Sequence, residues 1–64
     1  MKYEVILSIK SRVISSWRFK SIMQAVRYLH EVDLDIVDAS LFRLSDFHEF
    51  NVYEILDLYY GGKK

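Results

Sequence analysis

Few side chains in this chain can do proton or metal chemistry: His30, His48 and the acidic run Asp33-Leu34-Asp35-Ile36-Val37-Asp38. A histidine acts as a base or ligand when a carboxylate, a second ligand or a nucleophile stands at a matching spacing. His30 closes a helical pattern, where a cation suits the helix dipole. His48 has only Asp46 and Glu49 as acidic neighbours. Neither lies in a triad or metal-ligand spacing, and both read as surface or capping residues. A calcium loop requires closely spaced oxygens, a Gly at its sharp turn and a distal bidentate Glu. The acidic run has the wrong spacing and no Gly, so it reads as a solvated connector. The glycines are confined to Gly61-Gly62 and the seven serines lie in no motif, which leaves no phosphate loop or nucleophile elbow. The absence of Cys rules out disulfides and thiolate metal sites. A domain of 64 residues also has little room for an enclosed pocket of roughly 300–1,000 Å³ beside a core. The expectation is a non-enzymatic protein with no catalytic residues, no metal and no cofactor.

Two features point to binding instead. The first is the distribution of charge. Residues 1–32 carry six Lys/Arg against two acids, a net +4, and residues 33–64 carry seven acids against three bases, a net −4. A zero total therefore hides a polar molecule, and such a dipole steers association. Lys10, Arg12, Arg18, Lys20 and Arg27 form the basic set, which would grip phosphates if it formed one patch. The neutral total and pI near 6.7 weigh against nucleic acid as the main partner. The second feature is the aromatic run Phe47, Phe50, Tyr53, Tyr59 and Tyr60, on an acidic background with Glu49, Glu54 and Asp57. One face of a short helix buries only some of these rings. Tyrosine outside a core is a common interface anchor, because it gives large contact area at low entropy cost. The opposing reading is that the rings complete an aromatic-heavy core.

The elements that must hold these residues follow from periodicity. Tyr3, Val5, Leu7 and Ile9 alternate with polar residues, and Val13, Ser15, Trp17 and Phe19 repeat the pattern. These are two half-buried strands. Lys10-Ser11-Arg12 joins them without the Asn-Gly chemistry of tight hairpins, which predicts a loop of three or more residues. The alternation sets Trp17 opposite Arg18 and so predicts a core position for Trp17. Ser21-x-x-Gln24 is a capping box, and Ile22, Ala25, Val26 and Leu29 at helical spacing predict a helix over 22–31. Val37, Ala39 and Leu41 alternate again, predicting a third strand over 37–44. Asn51-x-x-Glu54 is a second box, and Asp46-x-x-Glu49 a third. Val52, Ile55, Leu56 and Tyr59 predict a helix over 52–60 that stops at Gly61. A fourth strand near 50–58 is the competing reading. Residues 61–64 read as a frayed tail.

The predicted fold is a small single α+β domain over residues 1–64. Its order is β-β-α-β-α, with a three-stranded, mainly antiparallel sheet packed by helices on one face. No apolar run reaches the roughly 20 residues needed to span a bilayer. The start, Met1-Lys2-Tyr3-Glu4, does not resemble a secretory leader, and the expected location is cytoplasmic. The expected function is a protein-interaction module that binds another protein, or itself, through Phe47, Phe50, Tyr53, Glu54, Asp57 and Tyr60. Its most concrete version is a phage- or mobile-element-type inhibitor or modulator of a host enzyme. The alternatives are a nucleic-acid-binding domain using the basic hairpin, and a self-associating structural protein in which the +4 face of one copy meets the −4 face of another.

Overall fold

In a computed structural model, which describes residues 1–61, six elements follow one another: β1 (Tyr3–Ile9), β2 (Arg12–Phe19), α1 (Ile22–His30), β3 (Asp38–Arg43), β4 (His48–Phe50) and α2 (Val52–Tyr60). The strands form one antiparallel sheet in the order β2-β1-β3-β4. The order corrects the expected three-strand arrangement. A three-residue strand, His48-Glu49-Phe50, pairs with Arg43-Phe42-Leu41 immediately before the second helix. Three residues are too short to show a period, so this strand was hidden inside the capping signals of 46–54. The expected helix over 52–60 is present as α2, and the competing strand near 50–58 is not, since the short strand ends at Phe50 before the helix begins.

β1 lies at the centre. Val5 pairs with Trp17 on one side and Leu41 on the other, and Leu7 pairs with Ser15 and Ala39. Paired residues share a face of the sheet. Val5, Leu7 and Leu41 therefore meet the helices together, and with Ala25, Val26, Leu29, Val52 and Ile55 they make the buried core. Among the described residues, no polar or charged side chain is buried in the core. The smallest dimension, 16 Å, accommodates one sheet and one layer of helix. The face that carries Glu4, Ile6, Ser40 and Phe42 has no helix over it.

Both helices begin as the sequence requires. The Ser21 hydroxyl accepts a hydrogen bond from the Gln24 N–H (3.3 Å), and Asn51 Oδ1 accepts one from the Glu54 N–H (3.1 Å). Gln24 returns its side-chain oxygen one residue earlier than a reciprocal box would, to the Lys20 N–H (3.3 Å). α2 stops at Gly61, whose φ of 74° lies in the left-handed region and whose N–H reaches the Asp57 carbonyl at 2.8 Å. The rest of the expected tail lies outside the described residues.

Two further expectations are corrected. Trp17 does lie on the core side of the sheet, opposite Val5, but β2 is the edge strand and the helices cover the centre. The indole is 57% exposed, not core. Its neighbour Phe19 is half-buried because Tyr28 of α1 packs on it, with ring centroids 5.4 Å apart. The first hairpin is also tighter than expected. Ile9 pairs with Arg12, so the turn is Lys10-Ser11 alone, with φ of 53° and 67°. Positive φ at both positions is the mirror-image turn that follows the natural twist of the strands. The twist overrides the local preference of Lys and Ser, each of which pays about 1–2 kcal/mol for the left-handed region. Replacing the pair by Asn-Gly (Lys10→Asn with Ser11→Gly) should therefore stabilise the domain by about 1–2 kcal/mol and raise its melting temperature by several degrees. Thermal denaturation followed by circular dichroism checks this; an unchanged or lowered midpoint contradicts the turn geometry.

Candidate functional site

The sheet order sorts the charges. β2 and β1 come from the basic half of the chain and lie side by side; β3 and β4 come from the acidic half and fill the other side. Among the described residues two ion pairs form, Glu4–Arg18 (3.7 Å) and Arg43–Asp46 (2.8 Å). Each joins residues of the same half. The fold does not use the tail acids to neutralise the hairpin bases, so two surfaces of unlike charge remain available to other molecules.

An open groove of about 520 Å³ lies where the sheet meets α2. Tyr3, Arg43 and Phe50 line it from the strands, Ile22 from α1, and Ile55, Leu58 and Tyr59 from α2, with the polar side chains of Asn51 and Glu54 beside them. Phe50 is the hub. Its ring centroid is 6.4 Å from that of Tyr3 and 4.8 Å from that of His48, which meets it edge-on, and Arg43 Cζ lies 5.7 Å from it. The last contact is a cation–π arrangement that joins a charge to a largely apolar lining.

Arg43 is held in place by the turn that follows it. Its Nε and Nη2 donate to Asp46 Oδ1 (3.0 Å) and Oδ2 (2.8 Å), and the same carboxylate accepts the His48 N–H (3.1 Å). These bonds explain why the Asp46-x-x-Glu49 signal does not start a helix. The carboxylate is committed to Arg43 and to a turn two residues on, and the chain reverses into β4. The Arg43 guanidinium, helped by the His48 N–H, lowers Asp46 from 3.8 to about 2, and the same bond to Asp46 raises Arg43.

The six aromatic and acidic residues expected to bind a partner are divided by the fold. Phe50 and Glu54 belong to the groove. Phe47 is the last residue of the β3–β4 turn, 74% exposed and with φ of 57°. Tyr53 is 68% exposed on the outer side of α2, beside the exposed Asp57. Tyr60 is less free than expected, because its ring stacks on His30 at 3.8 Å and 11° and ties the two helix ends together. The basic residues Lys10, Arg12, Arg18 and Lys20 follow the outer hairpin strand and its ends, all exposed, and Arg27 is exposed on α1.

Sequence reasoning missed Arg43, Tyr3, Ile22 and Leu58 as groove residues. Arg43 carried a usable signal: it is the one Arg of the acidic half and has Asp46 three residues on, a spacing that clamps a turn. Leu58, 79% exposed on α2, falls outside the core stripe of its helix and was legible as such. Tyr3 and Ile22 carried no signal beyond core periodicity. Among the described residues, no group of three His, Cys, Asp or Glu is placed to hold a metal ion, and no helix is long and apolar enough to cross a membrane. Comparison with known protein families, with curated proteins and with solved structures finds no match to this chain.

The clamp has a pH signature. Asp46 is more acidic folded than unfolded, so its contribution is complete above about pH 4 and is lost as pH falls through about 2. Both partners are solvent-exposed, which keeps the contribution to global stability small. The readout is therefore local. In an NMR titration the Phe47 and His48 amides should shift with a midpoint near pH 2, and Asp46→Asn should abolish the step. A midpoint at 3.8 or above contradicts the clamp.

Proposed function

We propose that the chain is a non-enzymatic interaction module whose partner is another protein, docked on the groove and on the exposed surface of α2 and the β3–β4 turn. The observation that supports the reading most is the amount of large apolar surface left uncovered there. Leu58, 79% exposed, lines the open apolar groove, and Tyr53 on the outer side of α2 and Phe47 in the β3–β4 turn are each more than two-thirds exposed. Scattered exposed apolar residues need no explanation, but an apolar concave surface with a large exposed side chain in its lining supports an interaction site.

Phe47 adds to this. An exposed phenylalanine in the left-handed region costs stability, because β-turn positions of this kind favour Gly or Asn, and it gains no core contact in return. A residue that weakens the fold where it stands is accounted for by what it contacts outside the fold. Glu54 lines the groove and Asp57 lies one helical turn from Tyr53, and these acidic side chains favour a partner surface with basic groups at its edge. A small inhibitor or modulator that covers a cationic surface of an enzyme, of the kind carried by phages and other mobile elements, is the most specific version of this function.

The test separates binding from folding. Phe47→Gly, Tyr53→Ser and Leu58→Lys combined should leave the melting temperature within a few degrees of the parent, since none of the three is core. The same variant should lose at least about tenfold in affinity for proteins that the parent retains from its native cell extract, the loss expected from removing central interface anchors. Equal retention by both forms contradicts the reading. Collapse of the fold in the variant shows instead that the three side chains are structural.

A further inference from the structure

The edge of the sheet opposite the groove has a distinct character. β2 runs eight residues, and among the described residues it pairs only with β1. Its outer side therefore presents backbone N–H and C=O groups with no strand beside them. Natural sheets protect such edges with short strands, proline or charge, because an edge is a template for a further strand. β2 is long and has no proline. Apart from Ser16, its exposed residues are of two kinds: apolar Val13, Ile14 and Trp17, and cationic Arg12 and Arg18, with Lys10 and Lys20 at the ends.

The arrangement of these side chains selects an occupant. Trp17 shares the core-side face with Val5, and Val13 pairs with Ser8 on the other face, so a strand added here meets an apolar side chain above and below the sheet. A second copy of β2 is a poor occupant. Antiparallel pairing of two copies would lay side by side two edges that each carry Arg12 and Arg18, with Lys10 and Lys20 at the ends and no carboxylate, and like charges close together are destabilising. The same charges favour a strand that carries carboxylates. Among the described residues, Arg18 has one long contact with Glu4 and Lys10, Arg12 and Lys20 have no ion pair.

We propose that β2 is a strand-addition site for an extended, acidic segment of another protein. Backbone hydrogen bonds to the free edge supply affinity, and alternate side chains of the incoming strand contact Trp17 on one face and Val13 on the other. The carboxylates pair with Arg12, Arg18 and the two flanking lysines. The cationic edge thereby does two things: it rejects self-pairing and it admits an acidic partner. The site is separate from the groove and does not depend on the function proposed for it.

Trp17 is the only tryptophan and sits in the site, so its fluorescence reports occupancy directly. The probe is an acetylated and amidated heptapeptide in which two Val or Ile alternate with two Asp or Glu, so that each face carries apolar and acidic side chains, titrated into the full chain at low salt. Bound peptide should shift Trp17 emission to the blue and slow hydrogen exchange at alternate β2 amides. Its affinity should fall about tenfold or more in high salt, as screening removes the charge pairing. The same peptide with Lys in place of its acids should give no response. Arg12→Glu with Lys20→Glu should weaken the acidic peptide by at least about tenfold with an unchanged circular dichroism spectrum. Arg12→Gln gives the smaller loss should the double variant fail to fold. Absence of any emission shift or β2 protection up to about 1 mM acidic peptide overturns the proposal. A single-stranded oligonucleotide that perturbs Trp17 at lower concentration than the peptide overturns it in favour of a nucleic-acid surface.

Discussion

β1 is hydrogen-bonded on both sides, to β2 and to β3, and from its centre Val5 projects into the helix layer with no exposed surface. Leu41 pairs with it from β3, and Ala25, Val26 and Leu29 of α1 complete the contact from above. With Leu7, Val52 and Ile55 this is the whole buried core among the described residues: eight side chains. Domains of this size have total stabilities of roughly 3–10 kcal/mol. Truncating one of the core leucines costs about 2–5 kcal/mol. The core is thus just enough to hold one sheet and one helix layer. It has no room for the remaining large apolar residues, which is why Phe47, Tyr53, Leu58 and Trp17 lie outside it. The surfaces that support functional proposals are consequences of that limit.

Much of this architecture was legible because each local signal agreed with the others. The alternation of Tyr3, Val5, Leu7 and Ile9 and the helical spacing of Ile22, Ala25, Val26 and Leu29 describe the two faces that meet. Ser21 and Asn51 cap their helices through the hydrogen bonds that their spacing implies. The exceptions have physical causes of one sort: a long-range constraint overruled a local one. Strand twist forces Lys10 and Ser11 into a turn that neither residue favours. Arg43 captures Asp46 and converts a helix-start signal into a hairpin. Position in the sheet, which periodicity does not encode, decides that Val5 is buried and its pair Trp17 is not.

The candidate site was legible in the same uneven way. Residue type alone pointed to Phe50 and Glu54, and both are in the groove. It did not indicate Tyr3, because a strand residue that lines a groove has the same periodicity as one that fills a core. Tyr60 is the reverse case: helical geometry put it outside the core stripe of α2, and only the neighbouring helix, through His30, occupies its face. The charge asymmetry was read from the sequence alone, and its separation in space follows from topology. A sheet order that keeps β2 beside β1 and β3 beside β4 places the basic half of the chain on one side and the acidic half on the other. With ion pairs formed only inside each half among the described residues, neither surface is spent on the fold itself.

The account depends on a small core with large apolar side chains left in water, and solvent exposure can be measured residue by residue. A soluble paramagnetic probe broadens NMR signals in proportion to their access to solvent. The methyl groups of Val5, Val26, Leu29 and Leu41 should be protected in the monomer. The side chains of Trp17, Phe47, Tyr53 and Leu58 should broaden strongly. Protection of Tyr53 and Leu58 equal to that of Leu29 in a monomeric sample would contradict the small core, because those side chains would then belong to it and the groove that Leu58 lines would be closed.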